Sequence, residues 1–168
     1  INWRVLLQRY ITNQIPYNYS WAKPSKKSIS VGEYLPETIK EKIEICIGID
    51  TSGSIGESEL TDFMSEIFGI ARAFQEKITM TLIPCDCEVK ETYTIENGGI
   101  EKIKSDVKIK GGGGTEFQPV IDWINKNKTD TKLLVYLTDG YGSKIEKPDF
   151  DVLWVLSKGG SDELLKNS

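Results

Sequence analysis

From residue 43 to residue 49 every odd position is isoleucine, with the small residues Cys46 and Gly48 set between them. Successive side chains of a strand point to opposite faces, so this run reads as a β-strand covered by helices on both sides. Such a strand belongs inside an open α/β sheet, and sheets of that kind place their ligands just beyond the C-terminal ends of the strands. At that point the chain continues Asp50-Thr51-Ser52-Gly53-Ser54. One carboxylate and two hydroxyls on a strand-to-helix turn make an all-oxygen group, suited to a hard divalent cation such as Mg²⁺.

Two distant segments supply further oxygens. The glycine run 111–114 lets the backbone approach closely and ends in the hydroxyl of Thr115, while a second apolar run over 133–137 leads into Thr138-Asp139-Gly140. Asp50 and Asp139 both fall at the C-terminal ends of expected strands. If those strands are parallel neighbours, the two carboxylates meet at one edge of the sheet.

The remaining pattern fills in the layers. Trp3, Leu6, Leu7 and Tyr10 have helical spacing, and residues 16–36 form a Tyr-, Ser- and Pro-rich connector, so residues 1–41 are expected to pack on a main domain over 42–168. Leu60, Phe63, Met64, Ile67, Ala71 and Phe74 recur at three- and four-residue steps, which predicts a helix directly after the first motif. Ser54 and Glu57 have the spacing of a capping box for it. Strands are expected over 78–84, 91–95, 133–137 and 151–156, the second of these as an edge. Asn97-Gly98-Gly99 reads as a turn, 99–104 as a short helix, 107–110 as a short extended segment, and Pro119 opens a helix that runs to 127. Alternation of strand and helix predicts a doubly wound α/β fold with a mostly parallel sheet.

Composition removes several functional classes. With 168 residues the chain can bury a core as one domain, and a net charge of −4 argues against a nucleic-acid partner, which needs a basic face. No apolar stretch approaches the roughly 18 residues that span a bilayer, and no signal-like segment precedes the fold, although a chain beginning at Ile1 fits a fragment or a processed product. Three cysteines, Cys46, Cys85 and Cys87, follow no disulfide framework, so a reducing compartment, the cytoplasm, is expected.

Each oxygen-bearing residue also has a plainer explanation. Asp50, Ser52 or Ser54 could each cap the following helix, and Asp-Gly is a frequent turn pair. The glycine run is not a phosphate cradle, because no Gly-Lys-Ser/Thr follows it and Glu116 brings negative charge, and a dinucleotide fingerprint fails at the same residue. The chain has no histidine, so neither a Ser-His-Asp triad nor a Cys-His pair can be built. Cys85 and Cys87 alone do not complete a zinc site; Cys85 is expected to pack in the core and Cys87 to be a loose thiol.

Asp-x-Ser-x-Ser after one strand, a Gly-rich loop carrying Thr115, and Thr-Asp-Gly after a second strand together resemble the metal-ion-dependent adhesion site of von Willebrand factor A (VWA) domains. A narrower resemblance runs along almost the whole chain. Trp3, Leu6 and Leu7, Ser20-Trp21, Pro24, Tyr34-Leu35-Pro36, residues 50–55, Cys85-Asp86, residues 112–117 with Pro119, residues 137–140 and Leu153-Trp154-Val155 are similar to the C-terminal VWA-like region of predicted bacterial metallopeptidases. In that family a zinc-peptidase-like domain with His-Glu-x-x-His lies upstream, a half that this chain does not contain.

The resemblance implies the VWA version of the fold, with one antiparallel edge strand. It implies Mg²⁺ or Mn²⁺ on Ser52, Ser54 and Thr115, with Asp50 and Asp139 coordinating directly or through water, and a free position for the acidic side chain of a protein partner. A MoxR-type AAA+ ATPase is a partner by resemblance, and the module is expected to be monomeric. The competing reading is a regulatory or substrate-presenting domain of a zinc metallopeptidase whose catalytic domain lies outside this chain.

Overall fold

A computed structural model of the chain describes residues 2–14, 42–96, 99 and 113–163. The connector over 16–36, the greater part of the turn at 97–99 and of the helix expected over 99–104, the extended segment 107–110, and Gly111 and Gly112 lie outside the described residues. The elements are α1 (Trp3–Gln14), β1 (Ile43–Asp50), α2 (Glu57–Ala73), β2 (Ile78–Cys85), β3 (Tyr93–Ile95), α3 (Gln118–Asn127), β4 (Thr131–Thr138) and β5 (Asp151–Leu156).

The strands form one sheet in the order β3-β2-β1-β4-β5. β1 pairs in parallel with β2 and β4, β4 pairs in parallel with β5, and β3 closes the β2 edge antiparallel. This is the doubly wound, mostly parallel architecture that the strand–helix alternation predicts, with the one antiparallel edge strand that the resemblance implies. β1 is central because both faces are apolar. Ile45, Ile47 and Ile49 enter one core with Phe63, Ile67 and Phe68 of α2, while Cys46 enters a second core with Val120, Ile121 and Ile124 of α3.

α1 belongs to the first of these cores. Leu7 and Ile11 are fully buried in it, each contributing about 1.5–3 kcal/mol of burial. Trp3 stacks on Phe63 with ring centroids 5.2 Å apart, and the Tyr10 hydroxyl donates to Asp151 Oδ2 at 2.8 Å, so α1 ties α2 to the start of β5. Burial, reinforced by the bond to Asp151, pushes the Tyr10 hydroxyl up to about 12.

Gly48 serves the opposite face. The ring of Tyr136 on β4 lies across it, and a Cβ at Gly48 would sit 2.6 Å from Tyr136 Cδ2. Only hydrogen fits there, which lets Tyr136 pack among Phe117 and Trp154 at centroid distances of 5.3 and 5.4 Å. A large aromatic is thereby seated against the sheet next to the edge where Asp50 and Asp139 emerge.

From β1 the chain crosses through α2 to β2 on one side, and α3 delivers β4 to the other side. β1 and β4 therefore flank the point where strand order reverses, and in an open α/β sheet a crevice forms there. Their register runs from Ile45↔Leu133 to Ile49↔Leu137, which brings Asp50 and Asp139 out at the same edge.

The expected capping box does not form. α2 begins at Glu57 with Gly56 at its N-cap and no side-chain cap bond. The Ser54 hydroxyl is engaged elsewhere, by Asp139. Glu57 and Glu59 in the first turn still complement the positive end of the helix.

Candidate metal centre

Both carboxylates are set by the same local device. The backbone N–H of Ser52 donates to Asp50 Oδ1 at 2.9 Å, and that of Tyr141 donates to Asp139 Oδ1 at 3.0 Å. An Asp that accepts the N–H two residues ahead bends the chain out of the strand. After β1 the bend leads over Ser52 and Ser54 into α2. After β4 it passes through Gly140, whose φ of 81° is favourable for glycine. A Cβ at Gly140 would also strike the Ser161 carbonyl at 1.8 Å.

The segment after β5 holds this second bend in place. Ser157 N–H donates to the Thr138 carbonyl and Ser161 N–H to the Asp139 carbonyl, each at 2.9 Å, while Lys158 N–H reaches Glu59 Oε1 on α2 at 2.9 Å. The C-terminal segment thereby joins the turn that carries Asp139 to the first turn of α2.

Thr115 arrives on a loop laid over the end of β2. Glu116 N–H donates to the Asp86 carbonyl at 3.0 Å, and the next residue, Phe117, is buried in the second core. Cys85 lies beneath, its thiol near the carbonyls of Asp86 and Glu116 at 3.5 and 3.7 Å. Burial, with the charges of Asp86 and Asp50 nearby, pushes that thiol up to about 12 and keeps it protonated. Cys87 is exposed, so both cysteines sit as the sequence predicts.

The five residues singled out from the sequence meet at this edge. Ser52 Oγ and Ser54 Oγ are 2.9 Å apart, and Ser54 Oγ donates to Asp139 Oδ2 in a short hydrogen bond. Thr115 Oγ1 stands 3.4 Å from both oxygens of Asp50, longer than an ordinary hydroxyl hydrogen bond. Asp50 is 1 % exposed, Asp139 7 % and Ser52 8 %. Carboxylates withdrawn this far from water need donors, and each has one on both of its oxygens.

A sixth residue went unassigned in the sequence. Thr138, fully buried at the end of β4, donates from Oγ1 to Asp50 Oδ2 at 2.9 Å and accepts the N–H of Gly140 at 3.0 Å. The available signal was a hydroxyl residue closing a buried apolar strand immediately before Asp139.

Chemically, the edge offers two carboxylates and three neutral hydroxyls, all oxygen. Among the described residues no group of three or more His, Cys, Asp or Glu is placed to hold a metal ion, so the thiolate- and imidazole-rich sets that zinc takes are not present there. The oxygen set fits a hard cation such as Mg²⁺, which takes one or two carboxylates and fills its remaining positions with neutral oxygens. Below the edge, Tyr136 is fully buried with its hydroxyl beside Cys85 yet without a hydrogen bond of ordinary geometry, and burial pushes it well above the usual tyrosine range.

Residues 45–163 match the family described as VWA-like domain (DUF2201). A protein of Thermotoga maritima described as an uncharacterized protein is 30% identical over 174 residues, an alignment covering 100% of this chain and 40% of that protein. The chain thus spans 40% of the length of the relative it matches. Among the described residues no helix is long and apolar enough to cross a membrane.

Proposed function

The chain belongs to the family of VWA-like domains, and from that premise we propose that it is a divalent-cation-dependent interaction module that captures an acidic side chain of a protein partner. Asp50, Ser52, Ser54, Thr115 and Asp139 would hold Mg²⁺ or Mn²⁺ between them. The observation that carries this reading is the meeting of two buried carboxylates and three hydroxyls at the strand-order reversal between β1 and β4. A bound cation would supply a positive centre for a carboxylate to approach.

The chain's own residues have separable tasks. Asp50 and Asp139, each gripped by a backbone N–H, provide fixed negative charge. Ser52 and Ser54 provide neutral oxygens on the turn into α2. Thr115 is the adjustable member, because its hydroxyl makes only long contacts and stands on a glycine-rich loop. Five protein oxygens leave an octahedral ion one position for an outside ligand. The resemblance noted in the sequence makes a MoxR-type AAA+ ATPase one such partner. Retention of an acidic peptide in the presence of Mg²⁺ and its release by chelator test the reading; retention that chelator leaves unchanged contradicts it.

A second reading draws on the length of the Thermotoga maritima relative, of which this chain matches 40%. In it, the module regulates or presents substrate to a zinc metallopeptidase domain carried elsewhere in a longer protein. An intact His-Glu-x-x-His upstream in a full-length relative, with proteolysis that responds to Mg²⁺ at this site, would favour it over a free-standing adaptor.

A further inference from the structure

Resting on the cation-binding reading above, we infer that Thr138 is a positioning residue for the site, fixing the plane of the Asp50 carboxylate and locking it to the Asp139 turn. Gly140 N–H can only donate, and it donates to Thr138 Oγ1 at 3.0 Å. The single hydrogen of Thr138 is then left for Asp50 Oδ2, 2.9 Å away. Backbone geometry dictates this direction, and the hydroxyl cannot reverse it without stranding the buried Gly140 N–H.

Asp50 Oδ1 is held independently by Ser52 N–H at 2.9 Å. Each oxygen of the carboxylate therefore has one fixed donor, from two different strand ends, and the side chain has a single orientation. The hydroxyls of Ser52, Ser54 and Thr115 differ in kind, since their hydrogens can turn away to leave lone pairs for a cation. Thr138 is already committed, so it orients a ligand without becoming one. Groups that orient ligating carboxylates by hydrogen bonds commonly change metal affinity by about 10- to 100-fold when removed.

A structural role alone would give Thr138 the same burial and bonds, so the test needs a matched control. Thr131, at the opposite end of the same strand, is also buried and donates from Oγ1 to the Lys128 carbonyl at 2.7 Å, far from the aspartates. Mn²⁺ alone would be titrated by calorimetry into wild type, Thr138→Val, Thr138→Ser and Thr131→Val, with the Mn²⁺-induced rise in melting temperature as a second readout.

The expected result is a loss of about tenfold or more for Thr138→Val, near-wild-type binding for Thr138→Ser, and unchanged binding for Thr131→Val despite a lower melting temperature. Wild-type affinity in Thr138→Val, or equal losses in the two valine variants, would overturn the inference while leaving the cation reading intact. Absence of binding by wild type would overturn the cation reading, and the inference with it. Should Thr138→Val not fold, Thr138→Ala takes its place against Thr138→Ser: alanine weak and serine strong supports the inference, and equal affinities overturn it.

Discussion

Ser54 donates its hydroxyl hydrogen to Asp139 Oδ2, joining the turn after β1 to the turn after β4 across a separation of 85 residues. This bond uses an oxygen that a cation would otherwise claim. A cation entering the site has to turn the Ser54 hydroxyl away from Asp139 and replace the bond with its own attraction.

Ser54→Ala should therefore act differently on the two states. Without a cation the loss is about 1–3 kcal/mol, because the largely buried Asp139 carboxylate loses the donor on its Oδ2. With Mn²⁺ present the variant should lose affinity by about tenfold or more, having one oxygen fewer at the ion. Urea unfolding with and without Mn²⁺ separates the two effects; an equal change in both conditions would assign Ser54 a structural role only.

Gly48→Ala and Gly53→Ala form a second contrast. The first puts a Cβ into the Tyr136 ring, which is boxed in by Phe117 and Trp154, and should cost about 1–3 kcal/mol as overpacking. A Cβ at Gly53 would meet nothing within 4 Å, so Gly53→Ala should stay within about 0.5 kcal/mol. Denaturant midpoints give the comparison directly, and a neutral Gly48→Ala would mean that Tyr136 can move aside.

Alkaline pH should weaken the fold through buried groups. Burial raises the thiols of Cys46 and Cys85 from 9.0 to about 12, and burial with the bond to Asp151 raises Tyr10 from 10.0 to about 12. In that window the unfolded chain has released protons that the folded chain retains, so stability falls as pH rises. The contribution is complete below pH 9.0 for the thiols and is lost progressively toward 12. Urea midpoints from about pH 8 to about pH 11 should decline across the upper part of that range, and Cys46→Ala should flatten part of the decline. A level profile would contradict the burial of these groups.

What the sequence disclosed was whatever short-range periodicity encodes. Alternating isoleucines marked β1 as interior, and the glycines and oxygens after it marked the edge where Asp50 emerges. The strand over 151–156 was legible for the same reason, matching β5 at both ends. Features that depend on distant partners were not legible. The Ser54 capping box was a sound local inference, displaced by a contact with Asp139 that nothing near Ser54 announces. Thr138 stood in plain view within Thr-Asp-Gly, but its bond to Asp50 spans 88 residues. β3 begins at Tyr93 rather than at 91, because its pairing with β2 covers only Leu82, Thr81 and Met80. α1 runs past Tyr10, the last residue of its apolar spacing, to Gln14 through exposed Thr12 and Asn13, with the Thr12 hydroxyl bonded back to the Gln8 carbonyl, a polar last turn that apolar spacing does not detect.

Titrating Mn²⁺ by calorimetry into the chain and into Asp50→Ala, with Asp139→Asn as a shape-preserving companion, decides whether this edge holds a cation. Asp50 supplies buried negative charge at the base of the site, so its removal leaves any cation under-neutralised. The predicted result is one saturable site per wild-type chain, none in Asp50→Ala, and a weakened site in Asp139→Asn, all three retaining cooperative unfolding. A wild-type chain that takes up neither Mn²⁺ nor Mg²⁺, or an Asp50→Ala variant that binds as wild type does, would contradict it.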